Sequence, residues 1–314
     1  GDGVITEAST DDADEKAAIA AAVASLGGVA DRSGVQGVNA EMIENFYKTL
    51  ANDPFLRNAY QDHFDLGSGA TLYYTTSPAS IPEETYFYSR LQFDIAGNLL
   101  SAFKPMMAKD ANGSGMIWNT PYSQFVRAEV TLGKTWIWNN KYNHALAIRF
   151  LAGMGYAYGN SSALPFEKHF YAGGANSLRG WQVRTIGPGT APMDDSFVIP
   201  NQTGDMKIEA NLEYRFKMFW KVAGALFVDA GNVWTLKDDN SVTGKESMFE
   251  WNRLGESIAM NWGAGIRLDF NFLILRLDLG MKIHDPARTD KWVKPTQWLK
   301  RDGYALHFGV GYPF

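Results

Sequence analysis

Between Asp205 and Phe216 the chain alternates without a break. Met206, Ile208, Ala210, Leu212, Tyr214 and Phe216 are apolar, while Asp205, Lys207, Glu209, Asn211, Glu213 and Arg215 are polar or charged. A period of two residues is the mark of a strand with two unlike faces. The pattern recurs over residues 222–231, 261–271, 273–284 and 306–314, and more loosely over 126–132, 146–156, 87–95 and 64–74. In the last strand Leu306, Phe308, Val310, Tyr312 and Phe314 share the apolar face, opposite His307, Gly309 and Gly311. Many of these segments reach the roughly ten residues that a tilted strand needs to cross a bilayer.

A spanning helix is excluded, because the longest largely apolar run, residues 17–26, is about half of the roughly 20 residues required. A closed β-barrel is the other backbone that satisfies its own hydrogen bonds in lipid. Aromatic residues make up 14% of the chain, in keeping with the aromatic girdles of such barrels. The polar faces carry both signs of charge and the apolar faces are almost uninterrupted. That pattern favours a membrane barrel with a charged interior over a soluble sheet with one wet face. The expected fold is therefore all-β, a transmembrane antiparallel β-barrel.

Other classes fall away on composition. The chain has no Cys, which removes disulfides and thiol chemistry, and its net charge of −5 gives no reason to expect nucleic acid as a partner. His63, His144, His169, His284 and His307 show no metal-ligand spacing, and neither a Gly-x-Ser-x-Gly elbow nor a phosphate loop is present. No catalytic residue, metal or cofactor is expected, and the chain reads as a non-enzyme. Gly1-Asp2-Gly3 opens an acidic stretch unlike a signal peptide, the mark of a processed or trimmed secreted protein.

Short and long connections alternate. Turns near 217–221, 271 and 139–143 are short, whereas 97–122, 159–204, 234–258 and 285–302 are long, as in barrels with short periplasmic turns and long outer loops. The count reaches nine strands, and an odd count that starts outside points to the C-terminal part of a larger barrel. Two units are expected: 1–62, a helical insertion in a surface loop, with helices over 11–26 and 40–50, and 63–314, the barrel portion.

The loop 159–204 is far longer than the 12–15 residues at which structureless loops become uncommon. Its centre reads Gly173-Gly174-Ala175-Asn176-Ser177-Leu178-Arg179-Gly180-Trp181. Glycines permit tight turns there, and arginine suits docking because its guanidinium grips a carboxylate in two-pronged fashion.

This Arg-Gly-aromatic tip resembles the signature of the outer-membrane barrel assembly-factor superfamily, which includes BamA/TamA-like proteins and two-partner secretion transporters. The run Asn211 to Phe216, the Phe-x-Asp-x-Gly of Phe227, Asp229 and Gly231, residues 263–270 and the terminal Tyr312-Pro313-Phe314 also resemble it. The likeness is strongest over 165–314; over 63–158 it is nearest the lipoprotein-type TamA relatives, and 1–62 shows none. Trp181 stands where Phe or Tyr is commoner.

The resemblance implies about nine strands of a 16-stranded barrel in the bacterial outer membrane that inserts or assembles other outer-membrane proteins. It implies that Gly173, Gly174, Ser177, Leu178, Arg179, Gly180 and Trp181 form a loop docked on the inner wall, with Arg179 on Asp229 and Glu213 nearby. It further implies a seam that opens beside the last strand, where Gly309 and Gly311 weaken packing and Tyr312 and Phe314 form the terminal signal. Expected partners are outer-membrane lipids, client barrel proteins, and periplasmic or lipoprotein accessory subunits. A protein-translocating secretion pore of the same superfamily and a passive channel are the rival readings.

Overall fold

The alternating segments become the strands of one antiparallel sheet. The computed structural model describes residues 62–77, 84–110, 113–138, 144–192, 202–237, 244–270 and 273–314. The helices expected over 11–26 and 40–50, and the turns at 139–143 and 271, lie outside the described residues. In chain order the strands are β1 (Gly67–Thr75), β2 (Tyr86–Ala96), β3 (Ala108–Lys109), β4 (Gly115–Ile117), β5 (Thr120–Pro121) and β6 (Phe125–Trp138). They continue with β7 (His144–Ala157), β8 (Met206–Phe219), β9 (Val222–Trp234), β10 (Ala259–Asp269), β11 (Ile274–His284) and β12 (Tyr304–Val310).

Nine strands form the main sheet in the order β1-β2-β6-β7-β8-β9-β10-β11-β12, each paired with its neighbour in sequence along the wall. The sheet is open, with β1 and β12 as its edges among the described residues. The short β3, β4 and β5 make a separate sheet inside the long 97–122 connection.

Burial is inverted relative to a soluble sheet. Leu212, Leu226, Val228, Ile266, Leu277, Leu306 and Phe308 are exposed, Phe308 to 68%, although they carry the apolar phase of the alternation. Glu209, Glu213, Asp229, Arg267, Arg276 and Asp278 carry the charged phase and are buried. Such an arrangement suits hydrocarbon outside and a filled interior. What covers the charged face is the described part of the 159–204 connection, whose Phe170, Ala172, Leu178, Trp181 and Ile186 pack with Val233 and Ala259 in one apolar cluster.

Two expectations are corrected. The first strand begins at Gly67; Phe64 instead makes an isolated parallel bridge with Tyr122. At the other end β12 stops at Val310, so Gly311 is not part of the strand, and its φ of +78° lies in the left-handed region glycine favours. That residue resets the phase, and Tyr312 and Phe314 turn to the inner side instead of joining Phe308 on the outer one. Arg215 lies 4.1 Å from the Tyr312 ring centroid and donates to the Phe314 carbonyl at 3.1 Å, while Arg149 lies 5.1 Å from the Phe314 ring. Cation–π attraction to arginines on the inner wall holds both rings there.

Candidate loop-docking site on the inner wall

Strand register assembles the wall of the site. Asp229 on β9 stands between Asn211 on β8 and Asn261 on β10, and Phe227 stands between Glu213 and Gly263. Further along, Gly265 faces Asp278 and Arg267 faces Arg276 across β10 and β11. One phase of four strands thereby gathers acids, amides and arginines on one face, while glycines 263, 265 and 280 keep its floor low. A Cβ on Gly263 would run into the Phe227 ring, and one on Gly280 into the main chain of Arg179.

The loop descends onto this floor through tight turns. Gly173 and Gly174 have φ of +89° and +95°, which side chains rarely adopt. Gly173 N donates to the Ser177 hydroxyl at 3.1 Å and Gly174 N to the Trp181 carbonyl at 2.8 Å, closing the tip on itself. Gly180 lets the chain pass close to the wall, since a Cβ there would lie 2.7 Å from the Asn261 Cβ. Leu178 and Trp181 enter the apolar cluster and leave Arg179 between them aimed at the wall.

Arg179 meets Asp229 as a fork: Nε donates to Oδ2 at 3.0 Å and Nη2 to Oδ1 at 2.8 Å. Its own backbone N also donates to Asp229 Oδ2, at 3.1 Å. Asn211 and Asn261 each add a side-chain amide at 2.9 Å, so five donors converge on one carboxylate. Nη1 of Arg179 bonds Glu213, and the guanidinium carbon lies 3.5 Å from the Phe227 ring centroid. Carboxylates bond the edges of the guanidinium and a ring covers one face. Burial alone would disfavour the charged form of Arg179; Asp229 and then Glu213 more than offset this and raise its pKa.

The pair belongs to a larger buried lattice. Arg267 bonds Asp278 and reaches Glu213 at 3.1 Å, Arg215 reaches Glu213 at 2.8 Å, and Arg276 reaches Asp278 at 2.9 Å. Arg267, Arg276 and Asp278 have the inward phase in the sequence, where charges in a narrow interior have to be paired or hydrated. Of these two states they take the first, buried and paired beneath the loop. Ser177 donates to Glu209, a contact for which the motif carries no signal. Nor does the motif signal Asn211 and Asn261, although their inward phase places them beside Asp229. Gly309 lies on the floor under Arg276, whereas Gly311 donates to the Ile274 carbonyl and Tyr312 and Phe314 lie against Arg215 and Arg149 rather than in the Arg179 pocket. Among the described residues no group of acids and histidines could hold a metal ion.

An outward-apolar antiparallel wall whose buried charges are capped by an inserted loop defines an outer-membrane barrel with a docked interior loop. Residues 114–314 match the Omp85 superfamily domain, and the chain belongs to that superfamily of bacterial outer-membrane proteins. The chain is 31% identical over 128 residues to the outer membrane protein assembly factor BamA of Neisseria meningitidis serogroup B, covering 38% of this chain and 16% of that protein. Similar solved structures are BamA from Haemophilus ducreyi lacking POTRA domains 1-3 (TM-score 0.42, 15% identity, 78% of this chain and 53% of that one) and CdiB from Acinetobacter baumannii (TM-score 0.32, 12% identity, 78% and 41%). The chain thus spans a small part of its curated relative and about half or less of these solved chains.

Proposed function

We propose that this barrel inserts or assembles other outer-membrane proteins, and that the 159–204 loop, docked through Arg179, holds its wall in the working form. The observation that carries this reading is the buried fork from Arg179 to Asp229, with Glu213 completing the grip. A surface turn has no use for a five-donor carboxylate at its contact. The matched relative named as an assembly factor supports the choice of activity within the superfamily. In this reading the chain is not an enzyme and needs no cofactor or nucleic acid. Its partners are lipids on the apolar outer face, client barrel proteins at the free strand edges, and periplasmic or lipoprotein accessory subunits. An unpaired edge in lipid is costly and templates the addition of a strand.

The test is replacement of the full-length protein in its own bacterium by an Arg179→Ala variant. Loss of several other barrel proteins from the outer membrane is expected at normal variant abundance. Unchanged barrel levels together with lost export of one secreted partner would replace assembly by translocation. Steady ion conductance with neither defect would leave a passive channel.

A further inference from the structure

Arg179 reaches from the loop to the wall; wall arginines reach the opposite way, Arg149 to the carbonyl of Asn176 at 2.8 Å and Arg127 to that of Lys168 at 3.2 Å, and one of them does so from beside the edge strand. On β11, Arg276 Nη1 donates to the carbonyl of Ala175 at 2.8 Å and to Asp278 Oδ2 at 2.9 Å. Its Nη2 donates to the side-chain oxygen of Asn176. The tip is held at 179 by Asp229 and Glu213, and at 176–177 by Arg149, Glu209 and Asn211 on β7 and β8; β11 adds a second grip, from the other side, on 175–176.

The second grip depends on the neighbouring edge strand. Gly309 on β12 stands opposite Arg276, and a Cβ there would lie 2.6 Å from Arg276 Nε and 2.9 Å from Cζ. The guanidinium is thus laid across the bare backbone of β12, and a side chain at 309 would have to push it aside. Two residues earlier on the same face, His307 is buried against the main chain of Arg179 and Trp181. Gly309, expected from its lack of a side chain to weaken packing of the strand, also makes the seat of an arginine that holds the loop.

We infer that Arg276 is a positioning residue that makes loop docking conditional on β12 lying in register, so that displacement of this edge strand loosens the loop. The inference rests on the docked-loop reading and adds the link to the last strand. Seating of β12 and docking of the loop then become one coupled equilibrium, and by linkage each favours the other. Neither Arg276 nor Gly309 touches Asp229; the two grips share only Asp278, whose Oδ2 lies 2.9 Å from Arg276 Nη1 and 3.9 Å from Arg179 Nη1, so variants at 309 and 176 separate them.

Residues 1–314 hold no cysteine, so a single thiol placed among them is a clean reporter once any cysteine elsewhere in the full-length protein is replaced. Leu178, a loop residue fully buried when the tip is docked, is changed to Cys in the full-length protein in membranes, and its rate of maleimide labelling is followed. Losing hydrogen bonds from a charged donor should open the loop about ten- to a hundred-fold more often. Labelling should therefore rise by that factor in Arg276→Ala, in Gly309→Ala and in Asn176→Ala. Asn176→Ala leaves the wall intact and keeps the test open if a wall variant fails to fold. Arg276→Lys should recover part of the protection through Asp278, and Arg276→Ala combined with Asn176→Ala should label no faster than Arg276→Ala alone. Wild-type rates in Gly309→Ala and Asn176→Ala, with fast labelling in Arg179→Ala, would overturn the inference while leaving the Arg179 site standing. Fast labelling in Gly309→Ala and Asn176→Ala with none in Arg179→Ala would support it and sink the proposed role of Arg179.

Discussion

Arg179 and Asp229, 50 positions apart in the chain, meet through two parallel hydrogen bonds of 3.0 and 2.8 Å with both side chains buried. Their meeting fixes the loop by geometry as well as charge, because two bonds from one planar group define an orientation that a point charge cannot.

Arg179→Lys should therefore fail almost as fully as Arg179→Ala. An ammonium keeps the charge and loses both the fork and the stacking on Phe227. Breaking a buried pair costs about 3–5 kcal/mol. Thermal unfolding of the purified barrel in detergent, followed by its heat-dependent gel mobility, should show both variants well below wild type. A lysine variant indistinguishable from wild type would contradict the fork as the determinant.

Exchanging the charges, Arg179→Asp with Asp229→Arg, should not restore docking. The Asp229 carboxylate also receives the Asn211 and Asn261 amides and the Arg179 backbone N, so a guanidinium there would face donors with no acceptor. Each single change and the double should all lose assembly in the replacement assay, and clear recovery in the double would show that the amides can turn.

Leu277→Arg probes the outer face. Leu277 is 46% exposed on β11 while its neighbours Arg276 and Asp278 are buried. If that face meets lipid, the arginine should destabilise the folded barrel by about 2–4 kcal/mol near the bilayer midplane. Urea-driven unfolding in lipid vesicles measures this directly; a neutral result would mean that the residue faces water.

His169 gives the loop a pH dependence. Burial, and then the charge of Arg184, push its pKa down to about 4 from the usual 6.5. The undocked loop therefore binds a proton more readily than the docked one. Docking is favoured above pH 6.5 and weakens as pH falls from 6.5 towards 4, opposed by the Asp205 carboxylate 3.6 Å from Nε2, which attracts the protonated ring. Labelling at the buried reporter position should accelerate across that window, and His169→Asn should flatten the response.

The strands were legible because alternation is a local signal: the unbroken run from Asp205 to Phe216 puts Glu213 inward in any structure that keeps it as a strand. The end of β12 shows where that signal stops. Tyr312 and Phe314 continue the apolar phase in the sequence, yet a left-handed Gly311 turns them inward onto Arg215 and Arg149. A period of two carries no information on where the backbone leaves the strand.

What the sequence by itself determined is the two-faced wall, its nine described strands and the loop motif that resembles a known superfamily, since each is written in neighbouring residues. Only the tertiary structure decided that Asn211, Asn261, Asp278 and Arg276 share one buried lattice with Arg179, and that Gly309 makes room for Arg276. Those partners lie on different strands, and interstrand register together with the descent of a long loop sets which of them touch. Neither is encoded in any single segment.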